Sequence, residues 1–213
     1  MKVLSINTSS RNNGNTAFAC KLLANAINGG HGESVHFDIC KMDIAPCKSC
    51  YACEVKGRCV VKDDWQKIHD ALWEADALVF GTPVYVLRES AWARIFIERS
   101  VSLISHVEGL GKKGKSMYEA MREFKEEHPG EDYGMPSIRL PRGKHLYLIV
   151  TQNSPVTYPA EQIMNYLSFI FAIVGCDIKR QWIITDTLES HDLKKRIEKN
   201  GLPPEVFANL QSV

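Results

Sequence analysis

The sequence has 213 residues, enough for one ordinary domain with a substantial core, and its 45% apolar and 24% charged composition is that of a globular chain. A formal net charge of +1 gives no support for a nucleic-acid or membrane-surface partner, which draws on a basic face; Lys112-Lys113 and Lys194-Lys195-Arg196 read as a solvated loop and a solvated helix face. No apolar run approaches the ~20 residues of a membrane span, and residues 1–6 turn polar too soon for a signal peptide, so a cytoplasmic location is expected.

Residues 2–7 form a short apolar run and are predicted as a buried strand. Residues 14–28 repeat apolar side chains at helical spacing (Ala17, Phe18, Leu22, Leu23, Ala26, Ile27) and close at Gly29-Gly30. A second strand alternates over 34–39. Asp63-Asp64 open a helix to residue 74, their charge suited to its positive end. A strand over 77–80 is stopped by Gly81 and Pro83, and a helix follows over 90–104. The remaining predicted elements are a strand at 144–150, a helix at 159–174 closed by Gly175, a strand at 179–185 and a helix at 188–199, with a short helix after Pro203-Pro204.

Strict alternation of strand and helix implies a parallel sheet covered on both faces. Five strands fit a flavodoxin-like three-layer α/β sandwich of order 2-1-3-4-5, which binds ligands beyond the carboxyl ends of its strands, beside strand 1. The loops after strands 1, 3 and 4 are therefore the places to look for chemistry. The chain reads as a single domain over 1–213, with a cysteine-rich loop at 46–60 and an insertion at about 105–143, too long for an ordinary connection. Within the insertion, residues 116–127 have helix-forming composition, and residues 107–142 are expected to cover the ligand site or reach across a subunit boundary.

The loop after strand 1 runs Thr8-Ser9-Ser10-Arg11-Asn12-Asn13-Gly14-Asn15-Thr16 into a helix start. Free amides and the helix dipole there attract anions. Ser9, Asn15 and Thr16 can donate to phosphate oxygens, and Arg11 can add a charge-assisted bond. No Lys follows a glycine in the P-loop manner and no Gly-x-Gly-x-x-Gly is present, which argues against nucleoside triphosphate hydrolysis and a dinucleotide fingerprint.

This loop resembles the Gly-Ser-Pro-Arg-x-x-Gly-Asn-Thr phosphate loop of flavodoxin-like NAD(P)H-dependent FMN reductases, with Thr8 for the Gly and Ser10 for the Pro. Gly81-Thr82-Pro83-Val84-Tyr85 is similar to the Gly-x-Pro-Val-Tyr segment of that family, whose backbone lies along the isoalloxazine ring. Arg94-Ile95-Phe96-Ile97-Glu98-Arg99-Ser100 looks like its Phe-x-Asp-Arg segment, with Glu98 for Asp. The resemblance implies an FMN held by Ser9, Arg11, Asn15, Thr16, Thr82, Pro83, Val84 and Tyr85. Thr151 and Asn153, in the loop Thr151-Gln152-Asn153-Ser154, stand where the polar edge of the ring would be.

Of seven cysteines, Cys47, Cys50, Cys53 and Cys59 are clustered, while Cys20, Cys40 and Cys176 lie scattered among apolar neighbours as core thiols. An odd total with one tight cluster argues against a secreted disulfide framework. Cysteines at i, i+3 and i+6 make a compact thiolate arc and a fourth closes it, the local geometry of a 4Fe–4S site. Free thiols and a zinc ion remain alternatives, although zinc sites more often use two separated Cys-x2-Cys knuckles. The spacing Cys-x2-Cys-x2-Cys-x5-Cys resembles the iron–sulfur flavoprotein family, FMN proteins with a cluster in this same loop; the resemblance spans roughly residues 1–104.

The expected function is electron transfer between FMN and a 4Fe–4S cluster, with ferredoxin or NAD(P)H as redox partner and no catalytic side chain required. The alternatives are an NAD(P)H-dependent FMN or quinone reductase of the same fold without a cluster, and a zinc-stapled binding module. By resemblance the chain should form a homodimer or a dimer of dimers.

Overall fold

The computed structural model describes residues 1–29, 32–105, 137–141 and 143–201, with positions 122–123, 126–127 and 129. Most of the 105–143 insertion, including its expected covering role, and the segment after Pro203 therefore lie outside the described residues; of the helix expected over 116–127, the described positions 122–123 and 126–127 are helical. No described helix is long and apolar enough to cross a membrane.

Strands β1 (Val3–Asn7), β2 (Ser34–Asp38), β3 (Ala77–Tyr85), β4 (Arg88–Glu89), β5 (Ile104–Ser105), β6 (Ser137–Ile138), β7 (Lys144–Thr151) and β8 (Cys176–Ile184) alternate with helices α1 (Asn15–Ile27), α2 (Ala52–Lys56), α3 (Trp65–Glu74), α4 (Ala91–Arg99), α5 (Tyr158–Ile173) and α6 (Asp192–Asn200). The main sheet runs β2-β1-β3-β7-β8, all parallel. It is the doubly wound flavodoxin-like order expected from the alternation, with one addition: β4 pairs antiparallel with the end of β3 and makes a sixth strand. A separate two-stranded ribbon, β5 with β6, joins the two ends of the insertion.

The period-two alternation of the strands divides their side chains between two cores. Leu4, Ile6, Leu78, Phe80, Leu146, Leu148 and Val150 face α3, α4 and α5, where Trp65, Phe96 and Phe171 are buried. Phe80 and Phe96 lie with centroids 5.0 Å apart, and Phe80 and Phe171 likewise. Val3, Ala77, Val79, Tyr147 and Ile149 face α1 and α6, against Leu23, Ala24 and Leu193.

Several boundaries differ from expectation. Strand β3 does not stop at Phe80: Gly81, Thr82 and Pro83 pair with Ile149, Val150 and Thr151. Proline is tolerated because the Gly81 carbonyl faces β1, accepting from the Thr8 amide at 2.9 Å, so the missing N–H two residues on faces the same side, where β1 has already ended. The β3–β4 hairpin turns on Val86 and Leu87, both with positive φ (48° and 65°), as a two-residue loop demands although neither residue favours it. Strand β8 begins at Cys176, and α4 ends at Arg99 in a 3-10 turn, Ser100–Leu103. Helix α2 inside the cysteine loop is not signalled in the sequence; it is one turn long and capped at both ends by left-handed residues, Tyr51 and Gly57.

Glycine is required at position 81 by packing. A Cβ there would fall inside van der Waals contact of Cys20 Sγ and 3.0 Å from Thr16 Cγ2, so α1 lies flat on β3 only over a bare Cα. Gly81→Ala should lose roughly 1–3 kcal/mol to overpacking. The Gly81→Ala/Cys20→Ala pair should recover most of it, as read from urea unfolding midpoints.

Candidate functional site

Two openings are lined by loops that follow the strands, one by those after β1, β3, β7 and β8, the other by the segment between β2 and α3 with the end of α4. The first, a cleft of about 160 Å³, is lined by Ser9, Arg11, Gly14, Asn15, Thr16, Pro83, Val84, Tyr85, Thr151, Gln152, Asn153, Thr187 and Leu188. Of the ten residues assigned to FMN from the sequence, Thr82 alone is not in this lining. It is fully buried behind the wall, its hydroxyl accepting from the Ser90 amide at 3.2 Å. The Ser90 hydroxyl caps α4 by accepting from the Ala93 amide and donates to the Thr8 carbonyl at 2.6 Å, tying the start of α4 to the loop after β1.

That loop is held by its own side chains. Asn7 Oδ1 accepts from the Ser9 amide, and the Ser9 hydroxyl accepts from the Arg11 amide at 3.1 Å and lies 3.2 Å from the Tyr85 hydroxyl. Thr16 and Thr151 share a hydrogen bond of 2.7 Å between their hydroxyls across the cleft floor. The segment after β8 folds over the loop. Asn15 donates to the carbonyls of Thr187 and Glu189 and accepts from the Leu193 amide, and Arg11 Nη1 donates to the Leu188 carbonyl at 3.1 Å. The Asn15 side chain is thereby committed to holding this segment, while Arg11 has further N–H groups.

Sequence reasoning leaves Gly14, Gln152, Thr187 and Leu188 unassigned. The rule that ligands sit beyond the carboxyl ends of strands covers the loop after β8 too, but Thr187-Leu188 carries no residue pattern to mark it.

The second opening, a cavity of about 350 Å³, is lined by Cys47, Cys50, Cys53 and Cys59, with Lys48, Ser49, Tyr51, Val60, Val61, Glu98, Arg99, Val101 and Ser102. The loop turns its cysteines to one side through left-handed backbone at Ser49, Tyr51 and Gly57. All seven cysteines are free thiols. No three Cys, His, Asp or Glu side chains among the described residues are gathered around a single ion site. One zinc ion, at ~2.3 Å from each sulfur, would draw its four sulfurs to within about 3.8 Å of one another. Cys20 and Cys176 are buried as core thiols, with burial pushing Cys176 up to about 11 and Cys20 far higher; Cys40 is partly exposed, contrary to the expectation of a core thiol.

Arg99 closes the floor of this cavity with 1% exposure. Its Nη1 donates to Asp63 Oδ2 at 2.6 Å and to the Ala45 carbonyl at 2.7 Å; its Nη2 donates to Asp63 Oδ1 at 3.0 Å and to Cys59 Sγ at 3.2 Å. Its Nε is buried without a partner. Asp63 also accepts from the amides of Ala45 and Trp65. Burial alone would raise the Asp63 carboxyl, but the Arg99 and backbone hydrogen bonds and the guanidinium charge together hold it below its ordinary value. On the opposite side Arg139, from the end of the insertion, reaches the Glu54 carboxylate at 3.3 Å and the Ser102 carbonyl, clamping α2. The Cys53 thiol is raised by burial and by Glu54, with Arg139 opposing. Four cysteines around a cavity with a buried guanidinium and an unpartnered donor make a donor set suited to an anionic polythiolate group.

Known proteins resemble this chain in sequence and in fold. The NADPH-dependent FMN reductase family matches residues 1–113. An iron–sulfur flavoprotein of Methanocaldococcus jannaschii is 33% identical over 100 residues (47% of this chain, 52% of its own), and one of Archaeoglobus fulgidus is 38% identical over 102 residues (47% and 49%). The match thus spans about half the length of these curated relatives. RosB with a bound flavin-phosphate intermediate superposes with a TM-score of 0.64 at 15% identity, covering 99% of this chain and 75% of its own. An azoreductase of Bacillus anthracis gives 0.57 at 15% identity, covering 99% and 95%. At these identities the two structures speak for the fold alone.

Asp63→Asn should cost about 3–5 kcal/mol at neutral pH, because it leaves the buried Arg99 charge uncompensated. Since the folded pKa of Asp63 is lowered, its contribution is fully present above the unfolded value near ~3.9 and is lost as pH falls through the folded value. The stability gap between wild type and Asp63→Asn, measured by denaturant unfolding, should therefore narrow on acidification below about pH 4.

Proposed function

Because this chain belongs to the NADPH-dependent FMN reductase family, we propose that it is a flavin-dependent oxidoreductase that passes electrons between FMN and a 4Fe–4S cluster. The observation that carries this reading is that Cys47, Cys50, Cys53 and Cys59 all line one cavity, while the loops after β1, β3 and β7 line a separate cleft. When bound, FMN takes electrons singly or in pairs and the cluster takes them one at a time, so a protein holding both can split or merge electron pairs.

The chain's own part is binding and orientation. Ser9 and Thr16 offer hydroxyls, and Arg11 offers N–H groups not engaged by Leu188, to a phosphate at the start of α1. Pro83, Val84, Tyr85, Thr151 and Asn153 border the space for a flat ring. Asn15 supports this site by holding the segment after β8 over it. Val86 and Leu87, next in the chain to Tyr85 of the cleft, are 95% and 67% exposed, and Leu188 of the cleft lining is 58% exposed; this apolar surface would suit a second subunit in a homodimer.

A second reading, a cluster-free NAD(P)H-dependent FMN or quinone reductase, is favoured by the family's own description, which names NADPH as donor. Absorption, iron and sulfide analysis of anaerobically prepared protein separates the two. We expect about four iron atoms and one FMN per chain. Any of Cys47→Ala, Cys50→Ala, Cys53→Ala or Cys59→Ala should abolish the broad iron–sulfur absorbance and leave the flavin, whereas Cys20→Ala or Cys176→Ala should keep the iron. Flavin without iron in the native protein refutes the cluster.

The Arg11→Ala/Thr16→Ala pair should weaken FMN binding, each charge-assisted hydrogen bond removed costing roughly 1.5–3 kcal/mol, as measured by flavin fluorescence. Unchanged affinity overturns the phosphate-loop assignment. Anaerobic rapid mixing with reduced ferredoxin and, separately, with NADPH identifies the donor: a cluster-bearing protein should be reduced faster by ferredoxin.

A further inference from the structure

The geometry points to Arg99 as the residue that sets the reduction potential of the iron–sulfur group, through a fixed N–H donated to the Cys59 sulfur. This rests on the cluster reading above and goes beyond it by assigning the four cysteines unequal roles.

The guanidinium cannot turn away from Cys59. Both of its terminal nitrogens are bound to Asp63, bidentate at 2.6 and 3.0 Å, and one of them also to the Ala45 carbonyl, so the plane of the group is pinned from the side opposite the cavity. With the plane fixed, the second Nη2 hydrogen falls on Cys59 Sγ at 3.2 Å. The face of the guanidinium lies 5.4 Å from the Trp65 ring centroid, which excludes water from that side. Asp63 is in turn immobilised by the amides of Ala45 and Trp65. The charge is permanent, since a guanidinium does not deprotonate in proteins.

Asp63 is the positioning residue and Arg99 the acting one. A one-electron reduction adds a negative charge to the group, and nothing else changes in the balance. An N–H donated to a ligand sulfur, together with a buried cation, favours that added charge and raises the potential. Arg99 reaches the sulfur of Cys59 directly, whereas Arg139, another cation beside the loop, meets Glu54 instead.

The test is an EPR-monitored redox titration of anaerobically prepared wild type, Arg99→Lys and Arg99→Gln, with Arg58→Gln as a control for an exposed cation beside Cys59. At the wild-type midpoint, the reduced-to-oxidised ratio of the Arg99 variants should fall at least tenfold, which is 59 mV for one electron. Arg58→Gln should leave it unchanged. Variants that hold iron and titrate with the wild type overturn the assignment. Should the variants not take up the group, reduced wild type labelled with 15N-arginine decides: electron spin-echo modulation from a nearby 15N sustains the contact, and its absence overturns it. A wild type without iron overturns the cluster reading itself, a result distinct from an unmoved potential.

Discussion

The buried pair between Asp63 and Arg99 ties the start of α3, the end of α4 and the cysteine loop together at one point. Asp63 stands at the entry to α3 and Arg99 at the exit of α4; the same two side chains bind the backbone at Ala45 and the sulfur of Cys59. A salt bridge so far out of water gains little net stability, because desolvation offsets most of the attraction. What it provides is a single permitted arrangement. Removing either partner leaves a charge with nowhere to go, so the cysteine loop is anchored at both ends of its course, at residue 45 and at residue 59. The Arg139–Glu54 pair repeats the device at the middle of the loop.

The centre of the sheet is legible in the sequence because β1, β3 and β7 are buried on both faces and read as apolar runs bounded by Gly, Pro and Asn. The order of the five long strands follows from alternation with helices. The end of β3 misleads for a physical reason: Gly81 and Pro83 are stop signals in isolation, but the proline's missing N–H faces an empty edge. The hairpin at Val86-Leu87 carries no Asn or Gly to announce it and is imposed by the pairing of Tyr85 with Arg88.

At the site, the hydroxyl-rich and cysteine-rich spacings mark the local part of each lining, within residues 9–16 and 47–59. What stays hidden is long-range. Asp63 looks like an ordinary helix-start carboxylate and Arg99 like one more helix-end cation, and no local pattern says that residues so far apart share a hydrogen bond. Asn15 shows the converse. Its type and place suit phosphate binding, yet its amide reaches across to Thr187 and Glu189, contacts that only the folded chain creates.

Helix α4 has Ser90 at one end, hydrogen-bonded into the loop after β1, and Arg99 at the other, hydrogen-bonded into the cysteine loop. At ~1.5 Å of rise per residue its nine residues make a strut of about 13 Å. Its inner face is locked against Trp65, Phe80 and Phe171 by Phe96. A strut of that kind neither stretches nor bends on the scale of thermal motion, so the two openings keep one separation within the chain. Whatever distance dependence governs traffic between them is fixed when the helix folds, and adding or deleting one residue in α4 would turn Arg99 by about 100° away from its sulfur.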